Sequence, residues 1–370
     1  MKTGSLSARR IPKKLSPEMR KPRIRYSAEP LWYKRLLWRM KTDSQFQRSI
    51  VQAAFLLLCV GIGIKFFFFV RWMDSGGQSL FVERPPGVEG FLPISALISF
   101  RFWKSFGIIS RIHPAGLFIL IAIVLISILL KNAFCSWLCP IGTLSEWLGK
   151  LGKKFFGRNF ILPKWLDYPL RSIKYLLLGF FLYVIVQMDA FALAQFIDSP
   201  YNKMADVKMY LFFADISMFA LGVIIVLAVL SVFVKNFWCR YLCPYGALLG
   251  LASLLSPFKI TRNTINCIDC DLCTKACPAN IKVHAAENVW NVECMSCYDC
   301  VQVCPVKDTL EMREVITGIT LPSRLFALLV IGIFIAITGA AMLSGHWKNN
   351  IPNQEYLSRY RDIDSPLYEH

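Results

Sequence analysis

Two stretches of the sequence, CIDCDLCTKACP at residues 267–278 and CMSCYDCVQVCP at residues 294–305, organise the region around them. Both have the spacing C-x2-C-x2-C-x3-C-P. Three thiolates spaced in this way on a tight loop can reach three irons of one cube, while the fourth cysteine, on a short helix, points away. The spacing therefore predicts a pair of cubane iron–sulfur clusters held in one small domain.

In bacterial ferredoxins with this spacing, the fourth cysteine of each run ligates the other cluster. The first predicted [4Fe-4S] cluster therefore binds Cys267, Cys270, Cys273 and Cys304, and the second binds Cys294, Cys297, Cys300 and Cys277. A disulfide framework would need an oxidising compartment, and a zinc site typically uses two C-x2-C pairs. Residues 261–314 are thus predicted to form an α+β ferredoxin domain of the bacterial type with two clusters.

The composition is that of a membrane protein. The chain has 370 residues, of which 55% are hydrophobic, and its mean hydropathy is +0.46, whereas soluble domains are about 45–50% apolar. A helix of about 20 apolar residues crosses a bilayer core. Five such stretches predict an α-helical membrane bundle into which the ferredoxin domain is inserted: residues 50–70, 114–131, 172–197, 208–234 and 322–344.

The net charge of +18 would suit a nucleic-acid partner, but its distribution argues against one. The excess precedes the first span and follows the second and fourth, which is the positive-inside pattern. The N-terminus and the ferredoxin domain are therefore predicted to be cytoplasmic, and the C-terminus to lie on the outer side.

The sequence is divided into five predicted domains. They are residues 1–48 (basic segment), 49–260 (four-helix core), 261–314 (ferredoxin), 315–345 (fifth span) and 346–370 (outer tail).

The basic segment contains an apolar face that predicts an interfacial helix on anionic lipid. Lysines and arginines surround this face, which consists of Leu31, Trp32, Leu36, Leu37 and Met40. For residues 1–28 the alternative is a solvated basic tail, because proline and charge dominate there.

Two further cysteine runs form an internal repeat. KNAFCSWLCPIGTL begins at Lys131, and KNFWCRYLCPYGALL begins at Lys235; they agree at the lysine, asparagine, both cysteines, leucine, proline and glycine. Duplicated membrane units commonly form sites between the repeats. The first four spans are thus predicted to be two related hairpins that bring together Cys135, Cys139, Cys239 and Cys243. These thiols could bind a third iron–sulfur cluster, bind Cu(I), act as redox dithiols, or simply pack.

The outer segment, residues 72–112, is a candidate docking surface. Its apolar stretch Phe91–Ser99 is too short to span a bilayer. A quinol site is one interpretation, lined by Arg84, Pro85, Pro86 and His113, and an amphipathic plug is the other. Weaker candidates on this side are Asp189, Asp198 and Tyr201.

Three other residue assignments complete the membrane region. A haem bound between His113 and His346 is disfavoured. Cys59 is interpreted as a buried packing residue, and Lys65 as a residue that snorkels toward the outer interface.

The chain resembles the membrane polyferredoxins of the NapH and NosR type, to which the copper-handling CcoG proteins are related. The resemblance covers roughly residues 48–345 and rests on the cysteine runs together with RPPGVEGFLPISAL from Arg84, IHPAGL from Ile112 and FCSWLCPIGTLSE from Phe134. NosR proteins have a flavin-binding domain before the membrane core and CcoG proteins have an outer domain after it. NapH is therefore the nearest architecture.

The resemblance implies a multi-pass protein of a bacterial inner membrane that transfers electrons. The donors would be quinol or cytoplasmic proteins, and the acceptor would be a partner that serves a periplasmic metalloenzyme. The alternatives are a copper or metal reductase or assembly factor of the CcoG type, and a redox-sensing regulator. No nucleophile–base pair or dinucleotide fingerprint is visible in the sequence. An electron-transfer component is therefore favoured over a stand-alone catalyst.

Overall fold

A computed structural model describes residues 32–368 of the chain. The predictions for the basic tail before residue 32, including Leu31, lie outside the described residues. The first eight helices are α1 (Trp32–Thr42), α2 (Ser44–Asp74), α3 (Pro93–Phe106), α4 (Pro114–Leu130), α5 (Ala133–Trp137), α6 (Pro140–Phe156), α7 (Lys164–Gln187) and α8 (Ala190–Asp198).

The remaining helices and the two strands complete the described chain. They are α9 (Pro200–Lys203), α10 (Ala205–Ala214), α11 (Met218–Phe233), α12 (Phe237–Tyr241), α13 (Pro244–Ala252), β1 (Phe258–Arg262), α14 (Leu272–Ala276), α15 (Asp299–Val303), β2 (Leu310–Glu314), α16 (Ser323–Leu343) and α17 (Asn353–Arg361). The protein is thus mostly helical, with one small sheet.

Three of the described helices, α2, α7 and α16, are long and apolar enough to cross a membrane. The predicted second span is α4, which is shorter at 17 residues. The predicted fourth span is the pair α10 and α11, which are bent by 83° relative to each other. The chain is therefore a membrane protein with three such helices in its described part, and the count of five spans stays a prediction.

The predicted third span differs from the observed helices. It was expected to continue to residue 197, but α7 ends at Gln187. Arg101 donates to the carbonyls of Ile185 and Met188 at this end, and the Asp189 carboxylate accepts from Ala192 N at 2.7 Å to begin α8. Capping of helix ends by side chains interrupts the backbone without changing the average hydropathy, so the apolar run hides the break.

The two segments that contain the cysteine repeat pack against each other, so that the helix before each cysteine run contacts the helix after the other run. Helix α4 of the first segment contacts α13 of the second, and α11 of the second contacts α6 of the first. Similarly, α2 packs on α5 and α6, while α7 packs on α12 and α13. The α6 and α11 backbones approach so closely that a Cβ on Gly152 would lie 1.8 Å from the carbonyl oxygen of Val232.

The ferredoxin domain is docked on this bundle and shares its core. Strands β1 and β2 pair antiparallel, with Phe258 opposite Glu314. The buried residues Ile260 and Met312 of the sheet belong to the same apolar cluster as Trp137 of α5 and Phe326 of α16. The domain is therefore held by burial of apolar surface as well as by its chain connections.

A second group of buried apolar residues lies at the end of the bundle that is away from the ferredoxin domain. The C-terminal helix α17 packs on α2, where the rings of Tyr356 and Phe69 meet edge to face at 5.3 Å. The predicted outer tail thus folds against the helices through residue 368.

Candidate iron–sulfur centres

The two ferredoxin loops adopt the same unusual backbone conformation. Asp269 and Asp271 in the first loop, and Ser296 and Tyr298 in the second, all have positive φ angles between 51° and 60°. A left-handed conformation is unfavourable for a bulky residue such as tyrosine. Tyr298 is 3% exposed and donates its hydroxyl to Leu321 O at 3.0 Å, so burial and this hydrogen bond hold the loop in place.

Each loop borders a small pocket, which is called a cavity below. The first cavity is lined by the cysteines predicted for the first cluster, Cys267, Cys270, Cys273 and Cys304. The second is lined by those predicted for the second cluster, Cys277, Cys294, Cys297 and Cys300. The fold thus brings together the exchanged sets of cysteines, while ligation by them stays a prediction.

The cysteines of both cavities suit thiolate ligation. The backbone N–H groups of Ala279 and Ile281 act to lower the pKa of Cys277, and that of Asp299 acts to lower the pKa of Cys297, since they favour the thiolate. Burial raises the pKa of Cys297 and Cys300 well above the usual value for a thiol. Because metal ligation requires the thiolate, cluster assembly must release these protons. The donor set and the N–H groups around it therefore fit a [4Fe-4S] cluster.

The second cavity faces the membrane core. Cys297 and Cys300 are buried, whereas all four cysteines of the first cavity are partly exposed. The loop of the second cavity is held from the bundle: Gln45 Nε2 donates to Cys297 O at 2.9 Å and Trp137 Nε1 donates to Ser296 O at 3.1 Å. The first cavity is therefore the more accessible to a soluble partner.

Two fully buried lysines lie within electrostatic range of Cys294. Lys131 Nζ donates to Val289 O at 2.6 Å, and Lys259 Nζ donates to the carbonyls of Ser253 and Leu254 at 3.0 and 3.1 Å. Neither lysine has a carboxylate partner among the described residues. Burial lowers the pKa of Lys259 to about 8. The second cavity thus has two buried lysines beside it that form no ion pair with a described carboxylate.

The repeat cysteines lie at two equivalent corners, where the chain turns from α5 into α6 and from α12 into α13. Cys135 lies in α5 and Cys239 in α12, while Cys139 and Cys243 cap the N-termini of α6 and α13. The following proline starts a new helix at each corner, as the sequence pattern predicts. Gly142 N donates to Cys139 Sγ at 3.4 Å, and Gly246 N donates to Cys243 Sγ at 3.3 Å. The four thiols lie within electrostatic range of one another.

A third small cavity lies between these corners and the ferredoxin domain. Cys135 and Cys239 line it, and so do Asn132, Asn236, Lys174, Arg240 and Glu293. The repeat identity at Lys-Asn could have pointed to the two asparagines. Nothing in the sequence pointed to Lys174 and Glu293, whose side chains pair at 2.7 and 2.8 Å. This cavity shares four wall residues with the second one: Pro278, Ala279, Glu293 and Met295.

The predicted quinol-site residues form a buried ion network. Arg84 pairs with Glu89 at 2.8 Å and with Asp206 at 2.5 Å, and all three side chains are buried. His113 Nε2 lies 2.6 Å from Asn202 O, and its Nδ1 lies 3.4 Å from Arg84. The network thus joins Arg84 to His113, and its acidic partners Glu89 and Asp206 were not among the predicted site residues. A quinol site there stays a prediction.

The other candidates on this side are dispersed. Asp189 caps α8, Asp198 is exposed and Tyr201 is partly buried in α9. His346 lies near the ring of Phe118, at 6.4 Å. The apolar stretch predicted at Phe91–Ser99 is mostly the start of α3, which packs against α4 and α8. The structure thus places these candidates in or beside α3, α8 and α9 and in the segment after α16.

Comparison with known proteins agrees with this arrangement of cysteines. A family described as a 4Fe-4S binding domain matches residues 112–159 and again 216–263, the segments that contain the two corners. A family described as a 4Fe-4S dicluster domain matches residues 259–305. No solved structure matches the chain.

Several curated proteins are similar to the chain. The putative electron transport protein YccM of Escherichia coli is 44% identical over 327 residues, which cover 87% of this chain and 92% of YccM. The regulatory protein NosR of Pseudomonas aeruginosa is 27% identical over 68% of this chain and 35% of its own length. The ferredoxin-type protein NapH of Escherichia coli is 26% identical over 38% of this chain and 46% of its own length.

The docked ferredoxin domain and these matches define the chain as a membrane-bound iron–sulfur electron-transfer protein. More specifically, it belongs to the NapH/NosR-type family of membrane polyferredoxins, together with YccM.

Proposed function

We propose that the chain conducts electrons between an exposed cluster of its ferredoxin domain and a thiol-lined centre at the surface of its membrane core. The observation that carries this proposal is the wall shared by the second and third cavities. When bound, each [4Fe-4S] cluster supplies a one-electron couple. Cys267, Cys270, Cys273 and Cys304 would hold the exposed cluster, and Cys294, Cys297, Cys300 and Cys277 would hold the buried one.

Contacts of the second loop support an order for the proposed centres. Trp137 and Gln45 hold this loop against the bundle, so the buried cluster would lie between the exposed one and the third cavity. The third cavity would hold a metal or a redox-active thiol centre on Cys135, Cys139, Cys239 and Cys243. The reciprocal packing of α4 on α13 and of α11 on α6 supports a duplicated hairpin that brings these four cysteines together.

The distribution of charge supports a location in a bacterial inner membrane with the ferredoxin domain in the cytoplasm. A cytoplasmic reductant would then reach the exposed cluster, and a membrane partner or a quinone would carry charge to the outer side. That partner would serve a periplasmic metalloenzyme, as the resemblance to the NapH and NosR type implies.

Single cysteine variants test the assignment of the two ferredoxin clusters. Cys270→Ser and Cys297→Ser are each expected to remove one cluster, or about four irons per chain. Iron and sulfide analysis with EPR should show that each variant keeps the signal that the other loses. Loss of both signals in both variants at full protein yield would contradict two separately ligated clusters.

Substitution of a buried lysine tests how charge sets the direction of transfer. Lys131→Met is expected to lower the midpoint potential of the buried cluster, because the reduced cluster loses a neighbouring positive charge. A unit charge at about 10 Å and an effective dielectric constant of about 20 contributes about 1–2 kcal/mol, or roughly 40–90 mV for one electron. Potentiometric EPR measures this shift.

The repeat provides the control for that measurement. Lys235 is the equivalent residue in the second repeat, but it is partly exposed and lies 3.7 Å from the carboxylate of Asp299. Lys235→Met should therefore shift the potential less than Lys131→Met does. Equal shifts would show that burial of Lys131 does not tune the cluster.

A further inference from the structure

Helix α6 has its apolar face on the outside of the protein. The face that it packs against the bundle is made of small and polar residues: Gly142, Thr143, Ser145, Glu146, Gly149 and Gly152. The opposite face, called the α6 stripe, consists of Ile141, Leu144, Trp147 and Leu151. Each of these four side chains is 44–47% exposed. Residues three and four apart lie on one side of a helix, so the stripe is continuous.

This exposure is not that of a membrane-crossing helix. Helix α6 has 17 residues, which include three lysines and a glutamate. It is not among the three described helices that are long and apolar enough to cross a membrane. A contiguous apolar stripe on a protein surface marks a binding surface. A helix with such a stripe and a strongly charged polar part is typical of the interface between lipid headgroups and acyl chains.

Three lysines lie in the last two turns of α6: Lys150, Lys153 and Lys154. Lys150 pairs with Glu146 at 2.9 Å. Lys153 and Lys154 are exposed, and neither forms an ion pair with any residue that the structure describes. Lys154 follows Leu151 by three residues and therefore lies beside the stripe. Two ammonium groups at this end of the stripe are thus available to an external anion.

The place of α6 in the chain agrees with a lipid headgroup as this anion. The helix follows the second predicted span, on the side where the excess of positive charge predicts the cytoplasm. The cytoplasmic leaflet contains anionic lipids that attract basic segments next to the membrane. Exposed tryptophan and tyrosine are enriched at the same interface. Trp147 of the stripe is 46% exposed, and Trp165 and Tyr168 at the start of α7 are 75% and 62% exposed.

The second repeat has an exposed apolar face without the cations. The residues that correspond to the three lysines of α6 are Leu254, Pro257 and Phe258. Leu251 and Leu255, the counterparts of two residues of the stripe, are 45% and 73% exposed. The fold of a corner therefore does not require lysines at these positions, which favours a ligand that the first repeat alone binds.

We infer that α6 is an interfacial helix that binds anionic phospholipid, with the α6 stripe among the acyl chains and Lys153 and Lys154 on the phosphate of the headgroup. A lysine can contact apolar surface with its stem while its ammonium group stays in the headgroup layer. The inference goes beyond electron transfer, because it assigns a lipid to the surface of the first corner and does not depend on what the cysteines bind.

Photoactivatable lipids test this site in the full chain, reconstituted in phosphatidylcholine vesicles. The vesicles contain a small share of phosphatidylglycerol, or of phosphatidylcholine, with the same diazirine in the acyl chain. Mass spectrometry then compares the labelling of residues 140–158 by the two lipids. A lysine near an anionic headgroup contributes about a fivefold preference, so labelling by phosphatidylglycerol should exceed that by phosphatidylcholine at least about fivefold.

Two controls accompany this measurement. Lys153→Gln/Lys154→Gln should bring the labelling by the two lipids to within about twofold of each other. Lys282→Gln/Lys307→Gln removes the same charge from exposed lysines of the ferredoxin domain and should leave the preference unchanged. The segment Pro244–Leu255 has no lysine and should be labelled equally by both lipids. Equal visible absorbance of the ferredoxin clusters shows that each variant is folded.

Four outcomes would overturn the inference. Equal labelling of α6 by both lipids would show that the helix contacts acyl chains without recognising a headgroup. Labelling of Pro244–Leu255 but not of α6 would show that protein, not lipid, covers the stripe. A preference that survives Lys153→Gln/Lys154→Gln would remove the lysines from the site. A preference abolished by inorganic phosphate, but not by chloride at equal ionic strength, would assign the lysines to free phosphate.

Discussion

Replacement of Arg48 by methionine is expected to destabilise the docked ferredoxin domain by about 3–5 kcal/mol, because it removes the buried cation that pairs with a buried carboxylate. Arg48 is 3% exposed, and its guanidinium lies 2.7 Å from Glu146 of α6 and 3.5 Å from Asp299 of α15. It therefore joins the membrane bundle to the short helix that contains Cys300.

Glu146 depends on this partner to remain ionised. Burial raises the pKa of Glu146, but Arg48 and Lys150 more than offset it, so that the pKa lies below the usual value for glutamate. In Arg48→Met the nearest buried partner is lost. Protonation of Glu146 would then relieve part of the cost, and the variant should lose less stability at low pH than at neutral pH.

Lys150→Met provides the matched control, because Lys150 also pairs with Glu146, at 2.9 Å, but is 54% exposed. An exposed pair contributes about 0–1 kcal/mol. Denaturant unfolding of the full chain in detergent, followed by the visible absorbance of the clusters, compares the two variants. Similar losses of stability in both would show that Arg48 does not hold the domain in place.

The cysteine spacing predicted the architecture of the ferredoxin domain well. C-x2-C-x2-C-x3-C requires two equivalent tight loops, and the structure builds them with left-handed residues at the same positions, such as Asp271 and Tyr298. The exchange of the fourth cysteine also follows from local geometry, since Cys277 and Cys304 lie beyond short helices. Features set by spacing along the chain are therefore visible in the sequence.

Contacts between segments that are far apart in the sequence could not be predicted from it. Asp206 pairs with Arg84 across more than a hundred residues, and Glu293 pairs with Lys174 in a similar way. Single-sequence patterns do not connect such positions, because each residue alone resembles an ordinary surface charge. The break after Gln187 was hidden for a different reason, since a capping aspartate changes the chain direction within a continuous apolar run.

Positions that are identical in the two repeats do not always have the same surroundings in the structure. Gly142 and Gly246 occupy the same position in the two runs. A Cβ on Gly142 would lie 2.3 Å from the carbonyl oxygen of Cys135, whereas a Cβ on Gly246 would lie 3.5 Å from that of Cys239. The first corner is therefore tighter than the second. Since both positions are glycine, this difference is not visible in the sequence.

Gly142→Ala is accordingly expected to open the first corner and separate Cys135 from Cys139. The new methyl group meets a backbone oxygen, so the chain must move for the substitution to fit. We expect the metal or thiol centre proposed on Cys135, Cys139, Cys239 and Cys243 to be lost, while both ferredoxin signals remain. Metal analysis, thiol titration and EPR of the purified chain measure this directly.

Gly246→Ala makes the same chemical change where the methyl group has ordinary contacts. It should retain the proposed metal or thiol centre, and its helix should gain up to about 1 kcal/mol because alanine favours helix more than glycine does. Loss of this centre from both variants would mean that the corners tolerate no side chain at all. Loss from neither would mean that the α5–α6 corner can relax by more than 1 Å without releasing the centre, since ordinary contact begins near 3.4 Å.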